Sequence, residues 1–374
     1  MKTVHVVVDD SRVVDFLTTP MRLARRRLAE RGMGVSFHSD LSERTLACDI
    51  LILISKPVFR LLGERQSPLD ASAPTFQLLD DARSGASKVV WLDSADSTGA
   101  THFEVLPHVD LYLKGQLLKD RSLYGRSFYG GRIFSDFYHD QFGIEDEVEY
   151  GPQHPLDESL ADKVGLAWNI GLGDVFSGFS GWSKLRGRLR RRVPFLPLPR
   201  SRPRPVDPSS GRSVDVFLRC STDWSRESVV FHRRELVRRL ENLMATRTDV
   251  DGSVRGRVSA AEYLRTMSRS KLAFGPFGWG ELNAREYEAL MLGCALLRPD
   301  MTHMETWPDI FRDGETCVFY RWDFQDLETK VLDLLEDDEL RQGIAAAGQQ
   351  AFMDSVSDEG LDAFSDWFVR QVTS

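Results

Sequence analysis

The sequence predicts an α/β protein of two domains, each built on a parallel sheet, facing one another across a cleft. Three observations predict it. The chain has 374 residues, more than one ordinary hydrophobic core holds. Short apolar runs of strand length alternate with amphipathic segments of helix length in both halves, the rhythm of βαβ units with right-handed crossovers. Between the halves lies a basic, proline-rich stretch without that rhythm, KLRGRLRRRVPFLPLPRSRPR at 184–204. These observations place a first domain at 1–180, a linker at 181–211 and a second domain at 212–374.

In the first domain, Val4 to Val8 is a continuous apolar run suited to a strand covered on both faces. Pro20 to Arg31 has helical spacing, with Met21, Leu23 and Leu28 on one side and arginines on the other. Strands follow at Val35 to Phe37, Asp49 to Ile54, Lys88 to Leu92 and Val109 to Leu113, with a helix over Phe76 to Ala86. Ligands of such sheets sit beyond the strand C-termini, where Asp9, Asp10, Asp93, Asp96 and Lys114 fall. Residues 116–180, rich in aromatics and glycine, are expected to form loops and short helices packed on this domain.

The 184–204 stretch carries only basic charges, and its prolines remove backbone donors. It reads as a solvated tether. It also suits an anionic membrane surface, where each basic residue contributes about 1 kcal/mol. The second domain opens with a strand at Val214 to Leu218 and an arginine-rich helix over Glu227 to Leu243. A helix at Ala260 to Ser268 and a strand at Lys271 to Phe274 come next, then a helix at Asn283 to Leu292 and strands at Ala295 to Leu297 and Cys317 to Tyr320. Three helical segments close the chain, near 324–335, 339–352 and 359–372.

Bulk composition narrows the function. Hydrophobic residues make up 42% and charged residues 28%, as in soluble globular proteins, and the net charge of −8 does not suggest a nucleic-acid binder. Cys48, Cys220, Cys294 and Cys317 lack metal-ligand spacing and read as reduced thiols. The N-terminus enters a strand directly, and no apolar run is long enough to span a bilayer. The expected location is the cytoplasm, with possible contact at the inner membrane face.

The chemistry concentrates in GPFGWGELNAREYEALMLGCALL, 275–297. Gly275, Gly278 and Gly280 let the backbone turn tightly and approach a ligand. Asn283 can cap the helix that follows, and the free N–H groups there attract phosphate. Arg285 and Glu288 are three residues apart, and Glu281 and Arg285 four, so the three lie on neighbouring helix rows. Arginine near a phosphate and glutamate near a vicinal diol would together hold a phosphorylated sugar or nucleotide. Ordinary ion pairs on a surface helix would use the same residues. Asp249-Val250-Asp251 has the spacing of a DxD metal motif, but lies in a turn-like context. No GxGxxG follows the first strand, which argues against a dinucleotide oxidoreductase.

This ordered pattern resembles the donor-binding segment of GT-B glycosyltransferases. It is similar to the glycosyltransferase family 1 C-terminal domains, including the spore-protein-like and exostosin-like branches. The shared residues are Gly278, Gly280, Glu281, Arg285, Glu288, Ala289, Gly293 and Cys294, followed by DGE at 313–315 and DDELR at 337–341. The similarity covers roughly 212–370. It implies a GT-B fold and transfer of a sugar from a nucleotide-diphosphate donor to a glycan, lipid-linked or other acceptor, as in polysaccharide biosynthesis. It also implies no cofactor and no metal. Glu288 corresponds to the glutamate that binds the donor ribose. The family's first acidic residue stands eight positions earlier; here that position is Gly280, and Glu281 stands one later. Arg219, after the first strand of the second domain, corresponds to the basic residue that meets the diphosphate, with Arg226 a second candidate. Glu281 and, from the first domain, Asp10 and Asp93 are the candidate catalytic carboxylates. A GT-B sugar-nucleotide epimerase and a non-catalytic scaffold that binds anionic partners are the alternatives.

Overall fold

The computed structural model describes residues 1–9, 11–64, 69, 73–147, 151–176 and 204–374. The first half contributes β1 (Lys2–Val7), β2 (Met33–His38), β3 (Cys48–Ile54), β4 (Ala86–Asp93), β5 (Leu111–Lys114), β6 (Gln116–Leu118) and β7 (Val164–Leu166). Six of these form one sheet in the order β2-β1-β3-β4-β5-β7, and every pairing in it is parallel. β3 shows why: CDILILI is apolar at every position from Ile50 on, and those residues are buried on both faces.

The second half contributes β8 (Val214–Phe217), β9 (Gly252–Ser253), β10 (Ser270–Phe274), β11 (Ala295–Pro299), β12 (Met304–Thr306) and β13 (Val318–Tyr320). Five of them form a second parallel sheet, β13-β11-β10-β8-β9. The two sheets share one topology. The first strand lies inside, the second flanks it on one side, and the later strands extend on the other. The winding therefore reverses between β1 and β3, and again between β8 and β10. Loops leaving such a switch point diverge and open a crevice at the strand C-termini. Two Rossmann-like domains built this way constitute the GT-B architecture.

Several elements differ from the sequence expectation. The first helix runs Arg12–Leu23 behind Ser11, whose side chain accepts from Val14 N, and Pro20 lies inside it. A proline costs one helical hydrogen bond, but Val14, Leu17 and Met21 make a buried stripe that holds the helix across it. A break at Ala24 then starts a second helix, Arg25–Glu30. Residues 116–176 hold a regular helix, Ile133–Phe142, as well as β6 and β7. The 184–204 stretch lies outside the described residues, except for Arg204.

The domains are joined by more than the linker. β6 of the first half pairs antiparallel with β12 of the second, Leu117 opposite Glu305. The last helix, Asp358–Thr373, returns to the first domain. There Trp168 packs edge-on against Phe364, Arg27 meets Asp358 at 2.9 Å and Arg31 meets Asp366 at 2.6 Å. One continuous hydrophobic core consequently runs from one face of the first sheet through the second domain, and a smaller core fills the first sheet's other face.

Candidate active site

The second sheet's switch point is where the chemistry-bearing residues meet. The loop after β10 runs Gly275 to Asn283 and enters the helix Ala284–Met291. Asn283 caps that helix through a capping box: its Oδ1 accepts from Arg285 N at 3.1 Å, and Glu286 Oε2 accepts from Asn283 N at 2.9 Å. The box occupies backbone donors that were expected to face a phosphate, so recognition of an anion passes to side chains.

Two guanidinium groups supply it. Arg285 projects from the first turn of the helix, half-buried, with its Nε sealed and without a hydrogen-bond partner. Arg233 comes from the helix Glu227–Thr246 and is 5% exposed. Arg233 Nε donates to Phe277 O at 2.6 Å and Nη1 to Ser221 O at 3.1 Å. Burial and the like charge of Arg285 push the Arg233 guanidinium down to about 10. Arg233 has no ion-pair partner among the described residues; burial lowers the Arg285 guanidinium, but Tyr263, Cys220 and Glu288 outweigh it and hold it above its ordinary range. The contrast is Arg298, fully buried and matched by Glu286 at 3.1 Å. Cys220 lies close to both arginines; burial pushes its thiol up, and they pull the other way.

Glu288 follows Arg285 by one turn and is 5% exposed. Tyr263, on the helix Ala260–Met267, donates to Glu288 Oε2 at 2.8 Å. Burial, with the nearby carboxylate second, raises the Tyr263 phenol well above its ordinary range, so it remains a donor. The structure thus brings Arg285, Glu288 and Gly278 together with Arg233. A Cβ on Gly278 would meet nothing closer than Arg233 Nη2 at 3.6 Å, so this glycine leaves the loop open beside that nitrogen.

Other sequence candidates have different surroundings. Arg219 is turned toward β9, where its guanidinium donates to Gly256 O at 3.2 Å and to Ser253 Oγ. Arg226 is the residue before the Glu227–Thr246 helix and reaches Gly130 O of the first domain at 3.4 Å. Gly280 does not receive a ligand: a Cβ there would lie 1.5 Å from Asp96 O, so it serves the contact between domains. Glu281 is fully buried and faces the first domain, accepting from Ser97 Oγ at 3.0 Å, Thr98 Oγ1 at 2.7 Å and Thr98 N at 3.1 Å. Burial raises its carboxyl, and His303 and Thr98 more than offset this, holding it below the usual value. A carboxylate so engaged is a tether between domains, which corrects its reading as a catalytic group.

Asp93 is corrected in the same way. It is buried with Lys114 at 3.2 Å, His102 at 3.2 Å, Tyr112 and Ala95 N on its two oxygens. Burial pushes its carboxyl up, but Lys114 and His102 dominate and hold it well below the ordinary range. Its oxygens are all engaged, so it has no lone pair to offer as a base. Asp10 lies outside the described residues. Asp249 is exposed and paired with Arg247 at 2.9 Å, and Asp251 N bonds Asp215, so the DxD stretch is a turn. Among the described residues, no three histidine, cysteine or acidic side chains gather as metal ligands.

Sequence reasoning missed Arg233. Its signal was the spacing Val229, Arg233, Leu236, Leu240: an arginine standing on the apolar stripe of an amphipathic helix. Facing the crevice, a cavity of about 110 Å³ lies beyond the ends of β4 and β5, lined by Phe16, Asp96, Gln116, Trp168, Asn169 and Leu282.

Residues 226–357 match the family model described as "Glycosyl transferase-like". The matched segment contains Arg233, Arg285 and Glu288. No curated protein matches the chain significantly. Among solved structures, it is similar to an alpha-glucosyltransferase in complex with UDP and a DNA 13-mer, at 10% identity and TM-score 0.49, with both chains covered in full. MnaA of S. aureus with UDP aligns over 100% of this chain and 98% of its own, at 9% identity and TM-score 0.43. HepE of Anabaena with UDP aligns over both whole chains, at 11% identity and TM-score 0.43. Likeness at this level is loose and says nothing of this chain's substrate.

Proposed function

We propose that this chain is a glycosyltransferase whose second domain holds a nucleotide-diphosphate sugar. One observation carries the reading. Two like-charged guanidinium groups stand together at the topological switch point, Arg233 without an ion-pair partner among the described residues and Arg285 one turn from a buried carboxylate. Bringing two like charges together in a low-dielectric site costs stability; Glu288 and Tyr263 offset this at Arg285, and a bound anion would answer the charge left on Arg233. A diphosphate carries that answering charge, and a ribose diol fits the acceptor oxygens of Glu288.

The chemistry follows from the placement. As the bond from the sugar's anomeric carbon to the diphosphate breaks, charge accumulates on the departing phosphate oxygen. Arg233 and Arg285, fixed beforehand, stabilise that charge without reorganising. Glu288 orients the nucleotide so that the sugar points along the loop toward the first domain. The cavity beside Asp96 and Leu282 faces that loop and supports binding of an acceptor there. We assign no catalytic base. The acceptor class, a glycan or a lipid-linked glycan, is part of the proposal, as is contact of the basic 184–204 stretch with an anionic membrane surface. Flotation with acidic liposomes, with and without that stretch, tests the membrane contact.

Isothermal titration with UDP, GDP and CMP, alone and as their sugar conjugates, tests the donor site. At least one nucleotide should bind, and Arg285→Met should weaken it by tenfold or more. Failure of all of them to bind overturns the proposal. Product analysis with the sugar nucleotide alone separates transfer from epimerisation: a changed sugar in the absence of acceptor would favour an epimerase.

A further inference from the structure

We propose that Trp224 is a positioning residue for the donor diphosphate, holding Arg233 in place through its ring face, and that the first domain steadies this arrangement through Arg132. The proposal rests on the donor-site reading above. It begins from a question that site leaves open: what keeps Arg233 beside Arg285 when no ligand is bound.

A carboxylate would normally do so, but a carboxylate would also compete with the ligand's phosphates for the same N–H groups. Arg233 instead uses neutral partners. Its Nε and Nη1 are spent on the carbonyls of Phe277 and Ser221. Its Cζ lies 3.9 Å from the centroid of the Trp224 ring. The negative face of an indole attracts a cation without taking up a hydrogen-bond donor. Two carbonyls fix the rotation of the guanidinium and the indole fixes its plane. Nη2 then remains, facing the open loop at Gly278.

The stack continues. Trp224 lies parallel to Trp279, with centroids 4.9 Å apart and 3° between planes. Trp279 O accepts from Arg132 Nε at 2.6 Å, and the Arg132 guanidinium stands 5.3 Å from the Trp279 ring. Arg132 belongs to the first domain, is 6% exposed and also donates to Gly130 O at 2.6 Å. Phe134 stacks on Phe277 at 4.2 Å alongside. The order Arg233, Trp224, Trp279, Arg132 runs from the proposed donor pocket into the opposite domain, and Phe277 ties the same loop to it a second time. The orientation of the phosphate-binding guanidinium thus depends on contacts made by the first domain.

Affinities of wild type, Trp224→Leu, Trp224→Phe and Arg132→Met for UDP and GDP, each beside its monophosphate, test this. The informative quantity is the preference for diphosphate over monophosphate, which a merely structural role would leave unchanged. Trp224→Leu should lower that preference about tenfold, Trp224→Phe should restore most of it, and Arg132→Met should lower it about threefold. An unchanged preference in Trp224→Leu, or equal losses for both ligands, overturns the proposal. Should Trp224→Leu not fold, Arg132→Met decides by the same criterion: an unchanged preference there overturns the proposal. Wild type binding no nucleotide would overturn the donor-site reading first; wild type binding with no shift in preference would overturn only the role of Trp224.

Discussion

Replacing Gly280 by alanine should separate the two domains' contact from the chemistry of the donor loop. The added Cβ would stand 1.5 Å from Asp96 O and 2.3 Å from Asp96 C, both backbone atoms. Reaching even 3.0 Å requires the two backbones to part by about 1.5 Å. The next residue is Glu281, whose bonds to Ser97 and Thr98 are 2.7 to 3.1 Å long and would not survive that separation. Disrupting a buried charged network of this kind costs about 3–5 kcal/mol. With an unfolding entropy of about 2.1 cal/mol/K per residue over 374 residues, the expected fall in Tm is about 4–6 °C. Gly278→Ala is the internal control. Its Cβ meets Arg233 Nη2 at an ordinary 3.6 Å, so its Tm should stay within about 1 °C of wild type, while crowding beside Nη2 weakens nucleotide binding. Differential scanning calorimetry and nucleotide titration of both variants measure this. A Gly280→Ala protein as stable as wild type would refute the tight seam and the tethering role of Glu281.

Three further outcomes follow from the site and its surroundings. Arg285→Met removes a guanidinium whose charge the fold favours, beside buried Glu288, so Tm should fall modestly while diphosphate affinity falls at least tenfold; intact affinity would contradict the anion site. Glu288→Gln keeps an oxygen for the Tyr263 hydroxyl but loses the charge, so nucleotide affinity should fall about 10- to 100-fold, the worth of a charge-assisted bond, with little change in Tm. Glu286 is fully buried, and burial raises its carboxyl from 4.5 to about 7. Desolvation outweighs the pull of Arg298, so between those values the folded state holds the proton more than the unfolded state does, and stability falls as pH rises. Urea denaturation from pH 5 to 8 should show this slope in wild type and a flatter one in Glu286→Gln; an opposite slope would contradict the burial argument.

Most strands of both sheets were legible because buried parallel strands are written as apolar runs, DILILI and KLAF among them; β7 and β9, short edge strands, were not. The helix Ala284–Met291 was legible from Asn283 and the glycines before it. Pro20 misled, since a proline at a helix start and one tolerated inside a helix look alike until the buried stripe around Val14 and Leu17 is seen. Of the proposed donor contacts, Arg285, Glu288 and Gly278 stand in one contiguous segment and could be proposed from it. Arg233 could not, because its partners Phe277 and Ser221 come from two other loops. Glu281 was misread because a carboxylate in a glycine-rich loop gives no sign of which domain it will face.

The amino-acid sequence by itself determined what is local or periodic here: alternating strands and helices, a capped helix behind a flexible loop, and an arginine and a glutamate one turn apart on it. Tertiary structure alone decided which charges stand together, which glycine lies beside a guanidinium and which against another backbone, and that an indole stands where a counter-ion would be expected. Those outcomes depend on distances between segments far apart in the chain, and such distances are set by packing two domains together, which no short stretch of residues encodes.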